Sequence, residues 1–213
     1  MQETKIKAVI FDMDGVLVDA KEWHYEALNR ALGLFGFEIS RYDHLVTYDG
    51  LPTRLKLEML TKERGLPKKL HTFINKIKQK YTMEITQAKC RPFFQHEYAL
   101  SKLSSMGYKL ALASNSIRNS VEVMLTKSKL IDFMDLYVSN EDVKNPKPAP
   151  DMYLKCIKEL GLTPKECLIL EDNDHGIAAA KASGAHLLVI NEVADVNFDN
   201  IMTSIAIAEK GQK

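Results

Sequence analysis

Asp12 and Asp14 are the first residues in this chain whose types and spacing could do chemistry. They close an apolar run, Ala8 to Phe11, and Gly15 follows them directly. In an extended or turning segment, residues two apart point to one side, so the two carboxylates share a space. Such a pair can hold a cation, or divide nucleophilic attack and proton transfer between its members. It can equally cap a turn, the ordinary use of an Asp-Gly dipeptide. A calcium loop of the EF-hand kind fits badly, because that loop needs glycine sixth and glutamate twelfth, and here glycine is fourth.

Three more polar clusters follow apolar stretches in the same way. Ser114-Asn115-Ser116 comes after Tyr108 to Ala113, Asn145-Pro146-Lys147-Pro148 lies beyond Leu136 to Val138, and Glu171-Asp172 comes after Cys167 to Leu170. Each has a plain alternative: the serines and Asp172 could cap the helices after them, and Lys147 could be a solvated loop charge. In an open parallel sheet, however, the carboxyl ends of neighbouring strands converge on one crevice where ligands bind. Crowded carboxylates there call for a cation, and oxygen-only ligation suits magnesium (Mg2+). A lysine and a hydroxyl beside it complement a phosphoryl group, so phosphoryl transfer on a small phosphorylated metabolite is the expected chemistry.

The elements needed to bring these clusters together are legible in the apolar pattern. Ala8 to Phe11 reads as a strand covered on both faces. Lys21 to Phe35 is an amphipathic helix with Trp23, Ala27, Ala31, Leu34 and Phe35 on one face. Helices follow over Leu51 to Arg64 and Leu70 to Ile85, with a weaker signal at Arg41 to Val46. A helical block of this size is too long for an ordinary connection and reads as an insertion. After Arg91-Pro92, helix and strand alternate. Helices are expected at Glu97 to Met106, Ile117 to Lys127, Asp151 to Leu160 and Gly176 to Ser183, and a last strand at His186 to Ile190. The fold class is therefore α/β: a doubly wound, mostly parallel, Rossmann-like core (1–19 and 89–213) with an inserted all-helical cap domain (20–88). A final helix is expected at Phe198 to Ala208, with a polar, frayed tail from Glu209 to Lys213.

Composition excludes several function classes. A net charge of +1 from 29 basic and 28 acidic residues gives no footprint for nucleic acid or an anionic membrane, so an acidic ligand must be caught by local groups. Cys90, Cys156 and Cys167 lack zinc spacing and are an odd set for a disulfide framework, which points to buried thiols in a reducing, cytoplasmic setting. There is no membrane-length apolar run, and Met1 to Ile6 leads straight into the first strand. A chain that is 46% hydrophobic can bury a core large enough to fold alone, as a monomer or weak dimer.

The clusters also carry a family likeness. Phe11-Asp12-Met13-Asp14-Gly15, Ala113-Ser114-Asn115-Ser116, Lys147-Pro148-Ala149-Pro150-Asp151 and Leu170-Glu171-Asp172-Asn173-Asp174 resemble, in order, the four motifs of the haloacid dehalogenase-like phosphatases. The branch is that of beta-phosphoglucomutase and phosphoglycolate phosphatase. The resemblance implies that Asp12 is the nucleophile that forms an aspartyl-phosphate and that Asp14 is the general acid and base. It implies magnesium held by Asp12, Asp14 through its carbonyl, and Asp172, with Glu171 close by, and phosphoryl oxygens held by Ser114, Asn115 and Lys147. In the cap, His24, Gly50 and Arg54 resemble positions that face the substrate, and Arg54 could grip a second anionic group in a forked contact.

A phosphatase is expected rather than a mutase of the beta-phosphoglucomutase type. Ile117 stands where the mutase has lysine, and the Gly50 to Arg54 segment is one residue longer. Separately, Pro92-Phe93-Phe94 lacks the glycine that relatives usually carry after that proline, so the exit from the cap is expected to hinge differently. Two readings from other classes stay open at this point. One is a receiver-type signalling domain, which would not need so large a helical insert. The other is a catalytically silent binding protein on the same scaffold, in which an acid or the lysine is usually lost.

Overall fold

Four apolar residues, Ala8–Phe11, form strand β1, and all four are buried. In the computed structural model, which describes residues 5–211, this strand lies at the centre of a five-stranded sheet. Met1 to Thr4, expected to lead into β1, lie outside the described residues, as do Gln212 and Lys213 of the expected frayed tail. The other strands are β2 (Lys109–Ala113), β3 (Leu136–Val138), β4 (Cys167–Glu171) and β5 (His186–Val189), in the order β3-β2-β1-β4-β5, and every pairing is parallel. Phe11 pairs with Leu112 on one side and Leu170 on the other. That register brings the residues just after these three positions, Asp12, Ala113 and Glu171, to one level.

The chain divides into two compact units, Ala20–Cys90 and the remainder. The helical unit contains α1 (Lys21–Gly33), α2 (Arg41–Asp43), α3 (Thr53–Arg64) and α4 (His71–Lys89). Leu28, Ala31, Leu32, Ile39, Tyr48, Leu57, Leu60, Leu66 and Ile74 make its core. Two expectations change here. α1 stops at Gly33, so Leu34, placed by periodicity on the buried face, is exposed (57%). The weak helix expected from Arg41 to Val46 is one short turn that widens into a π-helical turn over His44–Tyr48 and buries His44 and Tyr48. α4 runs past Ala88 to Lys89, and Cys90 behind it is buried.

In the other unit the sheet is wrapped on both faces by α5 (Phe94–Ser105), α6 (Arg118–Lys127), α7 (Asp151–Glu159), α8 (Asp174–Ser183) and α9 (Phe198–Lys210). Strand alternation decides which side chains meet which helices. Ala8, Ile10, Ala111, Ala113, Cys167 and Ile169 pack with Met152, Tyr153, Cys156 and Ile157 of α7 and Ala179 and Ala180 of α8. α5 and α9 pack together, α5 against β2 and α9 against β5. Burying one Leu-sized side chain in such a layer contributes roughly 1.5–3 kcal/mol. The tail is more ordered than its polarity suggested: α9 continues to Lys210, and Glu209 Oε1 accepts the Ile6 main-chain N–H at 3.0 Å. The three cysteines are buried thiols, and burial pushes those of Cys156 and Cys167 up to about 12.

Candidate active site

Asp12 leaves β1 with only 4% of its surface exposed, its main-chain N–H donating to the Leu170 carbonyl at 3.0 Å. Its Oδ1 accepts from Lys147 Nζ at 2.5 Å. Lys147 is not a solvated loop charge. It is 2% exposed, and its ammonium also donates to the Ala113 carbonyl at 2.8 Å and to Glu171 Oε1 at 2.5 Å. Burial works against that charge, but the Asp12 and Glu171 carboxylates outweigh it and hold the ammonium above its ordinary range. Asp12 itself is pushed well above the usual carboxylate range by burial; Lys147 counters this, while Glu171, Asp172 and Asp14 add to it.

The helix-capping alternatives fail one by one. α8 is capped by Asn173, whose Oδ1 accepts from the Gly176 N–H at 3.0 Å, which leaves the Asp172 carboxylate for the crevice. α6 has no local side-chain cap; Glu141 Oε2, from another segment, accepts the Arg118 N–H at 2.7 Å. Ser114 is buried and its Oγ accepts from the Ser116 N–H at 3.0 Å, while Ser116 Oγ donates to Asp14 Oδ2 at 3.0 Å. Asn115 commits its side chain to the Lys147 main chain: Oδ1 accepts from the N–H at 3.0 Å and Nδ2 donates to the carbonyl at 3.3 Å. It thus fixes the lysine loop with its amide.

Asp12, Glu171 and Asp172 each offer a carboxylate oxygen, all within 4.8 Å of one another. With Asp14 they set four acids against one lysine, and burial together with the other three carboxylates raises Asp12, a concentration of negative charge that a cation would offset. An all-carboxylate donor set suits Mg2+. Glu171, expected close to the metal, has both oxygens engaged by protein. Oε1 takes Lys147 Nζ and the Tyr153 hydroxyl (2.6 Å), and Oε2 takes the Asp172 N–H (3.0 Å).

Sequence reasoning missed two residues that hold this arrangement. Tyr153 is fully buried on α7, donates to Glu171, and stacks its ring 4.8 Å from Lys147 Nζ. Burial and the neighbouring carboxylates raise its phenol well above the usual range, so it stays a donor. Gly176 leaves room for Glu171: a Cβ there would lie 1.8 Å from Oε1. Locally neither stands out: Tyr153 lies inside the helix expected at Asp151 to Leu160, and Gly176 opens the one expected at Gly176 to Ser183.

The expected substrate residues lie in the helical unit. His24 Nδ1 is 3.2 Å from Lys78 Nζ, a largely buried lysine on α4 that no sequence signal marked. Gly50 has φ 67°, a conformation that favours glycine. Arg54 pairs with Glu58 at 2.8 Å on an exposed face of α3.

Comparison with known proteins agrees with this geometry. Residues 9–190 match the haloacid dehalogenase-like hydrolase family. The chain is 30% identical over 179 residues to a phosphoglycolate phosphatase of Aquifex aeolicus, covering 84% of this chain and 82% of that protein. It is 30% identical over 180 residues to a phosphorylated carbohydrates phosphatase of Thermotoga maritima, with the same coverage, 84% and 82%. The fold superposes on a beta-phosphoglucomutase from Clostridium difficile with a TM-score of 0.82 at 23% identity, covering 95% and 98% of the two chains. With its four motifs gathered at the ends of a parallel sheet and a family match spanning most of its length, the chain belongs to the haloacid dehalogenase-like hydrolases.

Proposed function

We propose that this protein is a magnesium-dependent phosphatase that hydrolyses a small phosphomonoester, such as a sugar or polyol phosphate, through an aspartyl-phosphate. The observation that carries the reading is the buried Asp12–Lys147–Glu171 cluster beside Asp172. In the first half-reaction an Asp12 oxygen attacks phosphorus, the ester P–O bond breaks, and Asp14 gives its proton to the leaving oxygen. In the second, Asp14 takes a proton from water, the water oxygen attacks phosphorus, and the bond to Asp12 breaks, releasing phosphate. Ser114, Lys147 and the Asn115 N–H hold the phosphoryl oxygens. Asp12, Asp172 and the Asp14 carbonyl would hold Mg2+, with Glu171 steadying the lysine beside it. The ion would supply charge neutralisation at the phosphoryl group.

The helical unit acts as a cap that shapes substrate choice and shields the reaction from bulk water. His24 with Lys78, the Gly50 turn and Arg54 are its substrate-facing groups, and a basic set of this kind favours a ligand with a second anionic or hydroxyl-rich end. The phosphatase names of the Aquifex and Thermotoga relatives support the same class of substrate.

Phosphate release from a panel of sugar phosphates, polyol phosphates and phosphoglycolate, with Mg2+ and with EDTA, tests this. Metal-dependent release is expected, and Asp12→Asn should lose at least ~10⁴-fold in kcat together with any trappable acyl phosphate. Retained turnover in Asp12→Asn would remove the mechanism. With beta-glucose 1-phosphate and catalytic bisphosphate, phosphate should form faster than the isomer.

A further inference from the structure

We infer that Ser116 is a positioning residue for Asp14, fixing the carboxyl group that hands its proton to the leaving oxygen; this rests on the reading of Asp14 as general acid given above. Ser116 Oγ donates to Asp14 Oδ2 at 3.0 Å, joining two segments 102 residues apart. The serine is held at both main-chain groups. Its N–H donates to Ser114 Oγ at 3.0 Å, and its carbonyl accepts the Asn140 N–H at 3.2 Å. Asn140 also donates through its side chain to the Asn115 carbonyl at 2.8 Å. The hydroxyl is therefore presented from a segment braced by the end of β2 and the turn after β3.

Asp14 is restrained from the other side by its own loop. It bridges Val18, and the Gly15 N–H donates to the Val18 carbonyl at 2.7 Å. That fixes the backbone and leaves the carboxyl torsion, which is broad for an sp³–sp² bond, to be set by a partner. A donor on Oδ2 is satisfied whether or not the other oxygen carries a proton, so Ser116 assigns proton transfer to Oδ1 without having to move. In that transfer the ester P–O bond breaks as the Asp12–phosphorus bond forms, and the Oδ1 proton goes to the departing oxygen. A serine hydroxyl has one hydrogen. Engaged on Asp14, it cannot also donate to a phosphoryl oxygen, which separates its job from that of Ser114.

The test compares an ester whose leaving group needs a proton, glucose 6-phosphate, with one that does not, 4-nitrophenyl phosphate. kcat/KM reports the steps through alcohol release only, so slow phosphate release from Asp12 does not blur it. Ser116→Ala is expected to lower kcat/KM for the alkyl ester about tenfold more than for the aryl ester, a fraction of a full general-acid contribution, and Ser116→Thr to restore most of the loss. Asp14→Asn, measured in parallel, should show the same selectivity more strongly. Selective loss with Asp14→Asn but not with Ser116→Ala overturns the role of Ser116 alone. No selectivity in Asp14→Asn overturns the general-acid reading, and Ser116 with it. Equal loss on both esters in Ser116→Ala assigns the residue to phosphate binding or packing and overturns the positioning role.

Discussion

The two units bury charge in opposite ways. In the sheet-bearing unit one lysine is enclosed by carboxylates at the ends of the central strands. In the helical unit the buried charges are the lysines Lys56 and Lys78, with a neutral His44 buried among them. The surplus runs the same way. Ala20–Cys90 carries 13 Lys and Arg against 8 Asp and Glu, a net +5, while the remainder carries 16 against 20, a net −4. The overall +1 conceals this, and a reading based on it saw no electrostatic direction at all. The sheet-bearing unit thus carries an acidic crevice suited to a cation, and the helical unit a surplus suited to anions.

The largest effect that would separate the two comes from Gly176→Ala. A methyl group 1.8 Å from Glu171 Oε1 must displace that carboxylate and leave Lys147 half-paired. Breaking a buried pair costs about 3–5 kcal/mol, so urea unfolding of the sheet-bearing unit should shift by that order, with activity largely lost. A variant as stable and active as the parent would show that Glu171 is not held in place by its neighbours. Tyr153→Phe is the gentler form of the same test. It removes one hydrogen bond to a buried carboxylate, and about 1.5–3 kcal/mol of stability should go with it.

On the basic side the sharper probe is pH. Burial and the nearby Lys56 charge hold the His44 imidazole down to about 4, against an ordinary value of 6.5. The unfolded chain therefore binds the proton first. The stability of the helical unit should be complete above pH 6.5, fall as pH drops from there to about 4, and level off below. The loss could reach about 3 kcal/mol. Trp23, the one tryptophan, lies on α1 and reports this unit by fluorescence. His44→Gln should flatten the acid limb. The smallest expected change is from Arg54→Ala. Its exposed pair with Glu58 is worth no more than about 1 kcal/mol, so stability should hardly move. KM for substrates with a second anionic group should rise several-fold, with 4-nitrophenyl phosphate unaffected.

How much of this was legible in the sequence follows from what each signal depends on. Asp12, Lys147 and Asp172 were found because each follows an apolar strand pattern and the parallel sheet aligns the strand ends. The doubly wound core was legible for the same local reason. Tyr153 and Gly176 were not, since their meaning lies in a contact with Glu171 from a separate segment or turn, and locally they match ordinary helix packing. The burial of Lys147 was hidden because a lysine between prolines looks solvated until two carboxylates are brought to it. The widened turn at His44–Tyr48 escaped notice because α-helical periodicity has no template for it.

The sheet order has one more consequence. β1 is paired only with strands synthesised much later, Ala8 with Lys109 and with Cys167, so the pocket needs loops of about a hundred residues or more to close. On the ribosome, a nascent chain that has already finished its helical insert still has β1, the strand that leads into Asp12, unpaired on both edges. A product truncated before β4 would be left with an aggregation-prone ribbon and no partial activity.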